Sequence, residues 1–201
     1  MVPELLAEQL PDSDIVVINA GLSSTCSTSG AFRLEEHVLA HGPLDLLVVE
    51  FAVNDDQDAR HSRRDCIRGM EGIVRHVRQK SPQTEIIIVY FLNEAMMSDL
   101  QAGRTPIPIS AHEQVAKHYS ISSVNVAAEV AASIKTGTFT WKDYGGTHPN
   151  EFGYLLASKM IVGAIAGAWD RSDLPAVADR LPELIGDYHY GNGRFIPVSK
   201  A

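Results

Sequence analysis

Four short runs of apolar, often β-branched residues recur along the chain, and the stretches between them carry apolar residues at helical spacing. This alternation restricts the possible folds more than any other feature. Residues 15–20 (IVVINA), 46–53 (LLVVEFAV), 86–92 (IIIVYFL) and the shorter 121–126 (ISSVNV) read as strands buried on both faces. Between them, Leu34 and Val38 share one face of residues 32–41, which stop at Gly42-Pro43. Cys66, Met70, Ile73, Val74 and Val77 predict an amphipathic helix running to about Lys80. Ser110 with Glu113 has the capping-box spacing and predicts a helix start. Residues 150–169 predict the last long helix, with Leu155, Leu156, Met160 and Ile161 on its buried side. Strands alternating with helices through short connections imply an α/β fold, a parallel sheet covered on both faces.

Such sheets bind ligands beyond the carboxyl ends of their strands. Function is therefore expected in residues 21–30, 54–64 and 93–108, and in the loop 136–149 before the last helix. The tail 171–201 changes character, and DYHYGNGRFIPVSK reads as the approach to another strand or a small appended module. The expected organisation is one domain over 1–170 and an extension over 171–201.

Charge and composition exclude several partners. The 201 residues hold 17 Lys and Arg against 25 Asp and Glu, a net charge of -8 with no basic run, which argues against nucleic acid and anionic membranes. The longest purely apolar or glycine stretch, 160–169, is half the roughly 20 residues that a membrane span needs. Cys26 and Cys66 are too few for a disulfide scaffold and form no CxxC knuckle, so two reduced thiols are expected. The opening residues lack a basic region and are interrupted by Glu4 and Glu8, unlike a secretory signal.

The expected ligand-binding rim carries a recognisable set of groups. The first apolar run ends in Asn19-Ala20-Gly21, the second in Val53-Asn54-Asp55, and the late loop reads Trp141-Lys142-Asp143-Tyr144-Gly145-Gly146-Thr147-His148-Pro149. A glycine N–H and an asparagine amide at strand ends can aim donors at one developing oxyanion. A histidine on a loop at the same rim can act as general base.

In order and spacing these three blocks resemble the SGNH (GDSL-like) hydrolases over about residues 3–170. Gly21 matches the glycine of the second block, Asn54 the asparagine of GxND, and His148 the histidine of DxxHP. The resemblance implies a flavodoxin-like three-layer α/β/α sandwich and hydrolysis of esters, carbohydrate O-acetyl esters among them, on a small-molecule or glycan substrate. His148 would be general base and acid, and Gly21 and Asn54 the oxyanion donors. That chemistry needs no metal or organic cofactor. Three departures accompany the match. The family's GDS nucleophile block is absent, and MVPELLAEQL resembles the second half of the helix that follows it, so a chain lacking its N-terminal block and first strand is expected. The aspartate three residues before the histidine is replaced by Gly145, leaving Asp143 as the expected partner of His148, and Ala52 stands where GxND has glycine.

Other readings carry less. Ser23, Ser24, Thr25, Cys26 and Ser27 suit a turn and a helix cap better than a nucleophile. His37 and His41 are four apart but lack the HExxH pattern, and the Asn54-x-Asp56-x-Asp58 spacing lacks the glycine of a calcium loop. Arg60, Arg63, Arg64 and Arg68 read as a solvated face or as contacts to an acidic substrate. Trp141 and Tyr144 suit either a sugar ring or loop packing. The rivals to an esterase are a non-catalytic carbohydrate-binding or scaffold protein, favoured by the missing GDS, and an inactive fragment of an enzyme.

Overall fold

The computed structural model describes residues 1–169 and 181–196, which divide into two compact units. One comprises Ala20–Tyr90, Pro106–Ser123 and the described part of Ala178–Ala201. Here β1 (Leu46–Val49) and β2 (Glu85–Val89) pair in parallel, with Leu46 opposite Glu85 and Val49 opposite Ile88. The short β3 (Ser122–Val124) flanks β2 on its other side, so β2 is central. Its side chains Ile86, Ile87, Ile88 and Val89 are accordingly buried.

The crossover between β1 and β2 contains α4 (Arg63–Lys80), which realises the predicted amphipathic helix. Ser62 caps it by accepting the Asp65 N–H, and Cys66, Met70, Ile73, Val74 and Val77 are buried. Two further helices precede it, α2 (Ser27–His37) and α3 (Ala52–Gln57). The second apolar run thus splits into β1 and the start of α3, because Glu50 Oε1 accepts the Ala52 N–H at 2.9 Å and satisfies a donor at the new helix end. Helix α2 packs closely on α4 because Gly69 has no side chain: a Cβ there would lie 2.2 Å from Ser27 Oγ. Helix α6 (Ile107–His118) packs on α3 and α4. It does not begin at Ser110 as the capping-box spacing predicts. Pro108 lies in its first turn, where the proline lacks only an N–H that needs no helical partner, so the helix starts earlier. Glu113 instead accepts hydrogen bonds from the Tyr90 hydroxyl (2.9 Å) and the Ser123 hydroxyl (2.7 Å).

Residues 181–196 form no regular element and run against α4. Buried Glu71 accepts the Ile185 N–H at 2.9 Å and the Tyr119 hydroxyl at 2.6 Å, and Tyr190 sits over Gly72 with its ring 5.3 Å from that of Phe32. The domain boundary expected at 170, and the rest of the tail, lie outside the described residues.

The other unit comprises Met1–Asn19, Phe91–Thr105 and the described part of Val124–Val177. It is helical: α1 (Val2–Gln9) packs on α9 (Glu151–Trp169), α5 (Glu94–Gln101) on α7 (Val126–Lys135), and α8 (Trp141–Tyr144) on α9. Of the residues expected on the buried side of α9, Ile161 is buried, while Leu155, Leu156 and Met160 are half-buried. Ala157, Ser158 and Val162 complete the covered face. By length and composition the segment Glu151–Ala168 is apolar enough to cross a membrane, a test that core helices also pass; it contains Glu151 and Lys159.

One expected strand is not formed. Residues 15–20 adopt no regular structure, and Val16 and Val17 are 80% and 57% exposed. Apolar, β-branched composition favours extended backbone, but a strand exists only where a neighbour completes its hydrogen-bond ladder.

Candidate active site

His148 stands on a loop whose backbone is fixed from both ends. Upstream, Thr140 and Asp143 form a capping box at α8: the Thr140 hydroxyl accepts the Asp143 N–H at 3.1 Å, and Asp143 Oδ2 accepts the Thr140 N–H (2.9 Å) and hydroxyl (2.7 Å). Gly145 and Gly146 then turn the chain with φ of +102° and +86°. Gly145 admits no side chain, because a Cβ would lie 2.2 Å from the Asn150 nitrogen. Downstream, Asn150 donates its side-chain amide to the Asp143 carbonyl (2.9 Å) and its backbone N–H to the Tyr144 carbonyl (3.0 Å). Gly153 lets α9 approach this turn, since a Cβ there would meet the Tyr144 carbonyl at 2.5 Å. His148 itself is exposed, and among the described residues its ring makes no hydrogen bond.

Asp143 is thus engaged by Thr140, whose hydrogen bonds hold its carboxyl below the usual carboxylate range. Both of those bonds fall on Oδ2. The aromatic residues of this loop pack on one another. Tyr144 is fully buried and stacks on Trp141 and Phe139, with centroids 5.7 and 6.4 Å away.

Gly21 and Asn54 belong to the other unit. Gly21 lies exposed in the irregular segment before α2. The residues after it form a turn, with Ser24 at φ +56° and the Thr25 hydroxyl donating to the Leu22 carbonyl at 2.7 Å. Asn54 is half-buried in α3, and its Nδ2 donates to Asp58 Oδ2 at 2.6 Å, the pair that suggested calcium-loop spacing. Of the arginine cluster, Arg63 is spent on Ser110 and on Gln114 Oε1 (2.7 Å), and Arg68 lies 5.4 Å from the centre of the Tyr188 ring.

A densely bonded polar group lies next to Asn54, at the Asp55 that the sequence suggests only as part of a turn. Asp55, fully buried, accepts the Ser27 N–H (2.8 Å) on Oδ1 and the Ser27 hydroxyl (2.7 Å) on Oδ2. His112 Nε2 lies 3.0 Å from Oδ2, and His61 Nδ1 3.3 Å from Oδ1. Burial alone would raise the carboxyl's pKa. The bonds from His112 and Ser27 outweigh it and hold Asp55 below the usual range. Burial and the neighbouring Asp55 push the Cys66 thiol well up. One signal was available: His112 follows Ile109 by three and precedes Ala116 by four, the spacing of a buried helix face.

Residues 1–156 match the model of the GDSL-like Lipase/Acylhydrolase family, and the chain belongs to that family. Among solved structures it resembles a two-domain esterase (CEX) active on acetylated mannans, with TM-score 0.77 and 22% identity over 92% of this chain and 47% of that one. The same esterase co-crystallized with mannopentaose gives 0.74 and 23% over 92% and 46%. The lipase/acylhydrolase from Enterococcus faecalis gives 0.60 and 18% over 84% and 86%. At these identities the likeness is one of fold, the α/β fold with a parallel sheet. The chain spans about half the length of the two-domain esterase. No curated protein sequence matches it.

Proposed function

We propose that this chain is the hydrolase part of an ester hydrolase acting on carbohydrate O-acetyl esters. The observation that carries the reading is His148: an exposed imidazole, on a loop anchored at both ends, in the THPN stretch that resembles the family's DxxHP block. His148 takes the proton of the attacking hydroxyl and returns it to the leaving alcohol. The Asn54 amide has two hydrogens; Asp58 holds one, and the other serves the oxyanion together with the Gly21 N–H. The nucleophile of this reading is the family's serine, whose GDS block is absent from these 201 residues; the acetyl-serine ester it forms is then cleaved by a water that His148 deprotonates, releasing acetate and the free serine. Asp143 contributes by fixing the His148 loop through Thr140 and Asn150. The acetyl-carbohydrate assignment draws on the fold shared with the esterase active on acetylated mannans.

The test is acetate release from acetylated mannan by protein expressed from its complete reading frame. Asn54→Ala should lower kcat by about 10²–10³-fold with little change in KM, as loss of one oxyanion donor does. Equal kcat in the variant would remove Asn54 from the mechanism. Mannan binding without acetate release would favour the carbohydrate-binding alternative.

A further inference from the structure

The structure assigns a metal site to Cys26, Asp55 and His61. A thiolate sulfur, an imidazole nitrogen and a carboxylate oxygen are the donor set of zinc, and here the three ligand atoms lie within 4.8 Å of one another. Tetrahedral zinc, with Zn–S of about 2.3 Å and Zn–N of about 2.0 Å, needs ligand atoms roughly 3.3–3.6 Å apart. Small rotations of two half-buried side chains close the difference.

The donors are held from behind. Ser27 fixes the Asp55 carboxylate with two hydrogen bonds, and the residue before Ser27 is Cys26, at the N-terminus of α2. The His61 N–H donates to the Asp55 carbonyl at 2.8 Å, after a left-handed turn at Arg60 (φ +48°) that returns the chain toward the carboxylate. His61 Nδ1 is buried without a geometrically sound hydrogen bond, 3.3 Å from Asp55 Oδ1. Among the described residues no lysine or arginine pairs with Asp55, whose ionisable neighbours are the imidazoles of His61 and His112.

Cys26 and His61 are half-buried and give the ion a route from solvent, whereas a second set around the same carboxylate, Asp55, Cys66 and His112, is fully buried. In that inner set His112 Nε2 is already spent on Asp55. A divalent ion in the outer set displaces the Cys26 thiol proton to solvent, is held by three protein ligands and keeps a fourth position open. The site uses none of Gly21, Asn54 or His148, so it stands or falls apart from the ester chemistry.

The experiment is titration of chelator-treated full chain with zinc against a chromophoric competitor, and with cobalt followed by its thiolate charge-transfer band. The expected result is one ion per chain with that band present. Cys26→Ser should abolish the band, and His61→Ala should weaken binding by about tenfold or more. Far-UV circular dichroism should be unchanged in both, because neither side chain is in the core. Absence of the band in the wild type, or its survival in Cys26→Ser, overturns the assignment.

Discussion

Asp55 and His148 are both ionisable and belong to different units, and they are held in opposite ways. Asp55 is closed off from solvent and fixed through its side chain, by Ser27 and His112. His148 is exposed and fixed only through its backbone, by a capping box, two left-handed glycines and an asparagine. The contrast separates two tasks. A carboxylate whose bonds run to two other segments makes a folded core specific. In the proposed reading, His148 gives and takes protons, and its exposed ring on a loop tied at both ends suits that role.

The contrast can be broken at either end. Asp55→Ala should have the largest effect on stability. It strips partners from buried His112 and Ser27, and a loss of about 3–5 kcal/mol is expected from the urea unfolding midpoint. The same carboxylate makes stability acid-sensitive. Its folded pKa lies below the ordinary 3.8, so its contribution is complete above that value and is lost as the pH falls through the depressed folded value. Unfolding midpoints measured from pH 6 downward should drop below pH 4 in the wild type and less steeply in Asp55→Asn.

Gly153→Ala comes next. Its Cβ would press on the Tyr144 carbonyl and on Pro149, and overpacking of this kind costs roughly 1–3 kcal/mol. The His148 loop should shift with it, lowering activity along with stability. Thr140→Ala removes the cap of α8 and should cost about 1 kcal/mol, with a partial loss of turnover. A Thr140→Ser variant that restores both would confirm the cap as the cause.

The sequence made the sheet side legible because its signals are long-range in composition but local in spacing. The run 86–92 became the central strand β2, and the period-3.6 pattern from Cys66 became α4. Residues 15–20 are almost as apolar, yet they remain outside the sheet, because pairing is decided by a neighbour that composition cannot specify. Helices α5 and α7 were illegible for another reason. Each is short and is begun by an asparagine cap, Asn93 accepting from Met96 and Asn125 from Ala128, a signal that also suits turns. His148, Asn54 and Gly21 are proposed from motif register alone. The Asp55 cluster was not legible, since Ser27, Asp55 and His112 are 28 and 57 positions apart and meet only through folding.

The central claim is that His148 carries the chemistry while contributing almost nothing to the fold. Its most direct test is a paired measurement on His148→Ala, with protein expressed from its complete reading frame: the urea midpoint, and acetate release from acetylated mannan. The account predicts a midpoint corresponding to less than about 0.5 kcal/mol of change, and turnover lowered at least 10²-fold or so. Turnover retained at the wild-type rate would contradict it.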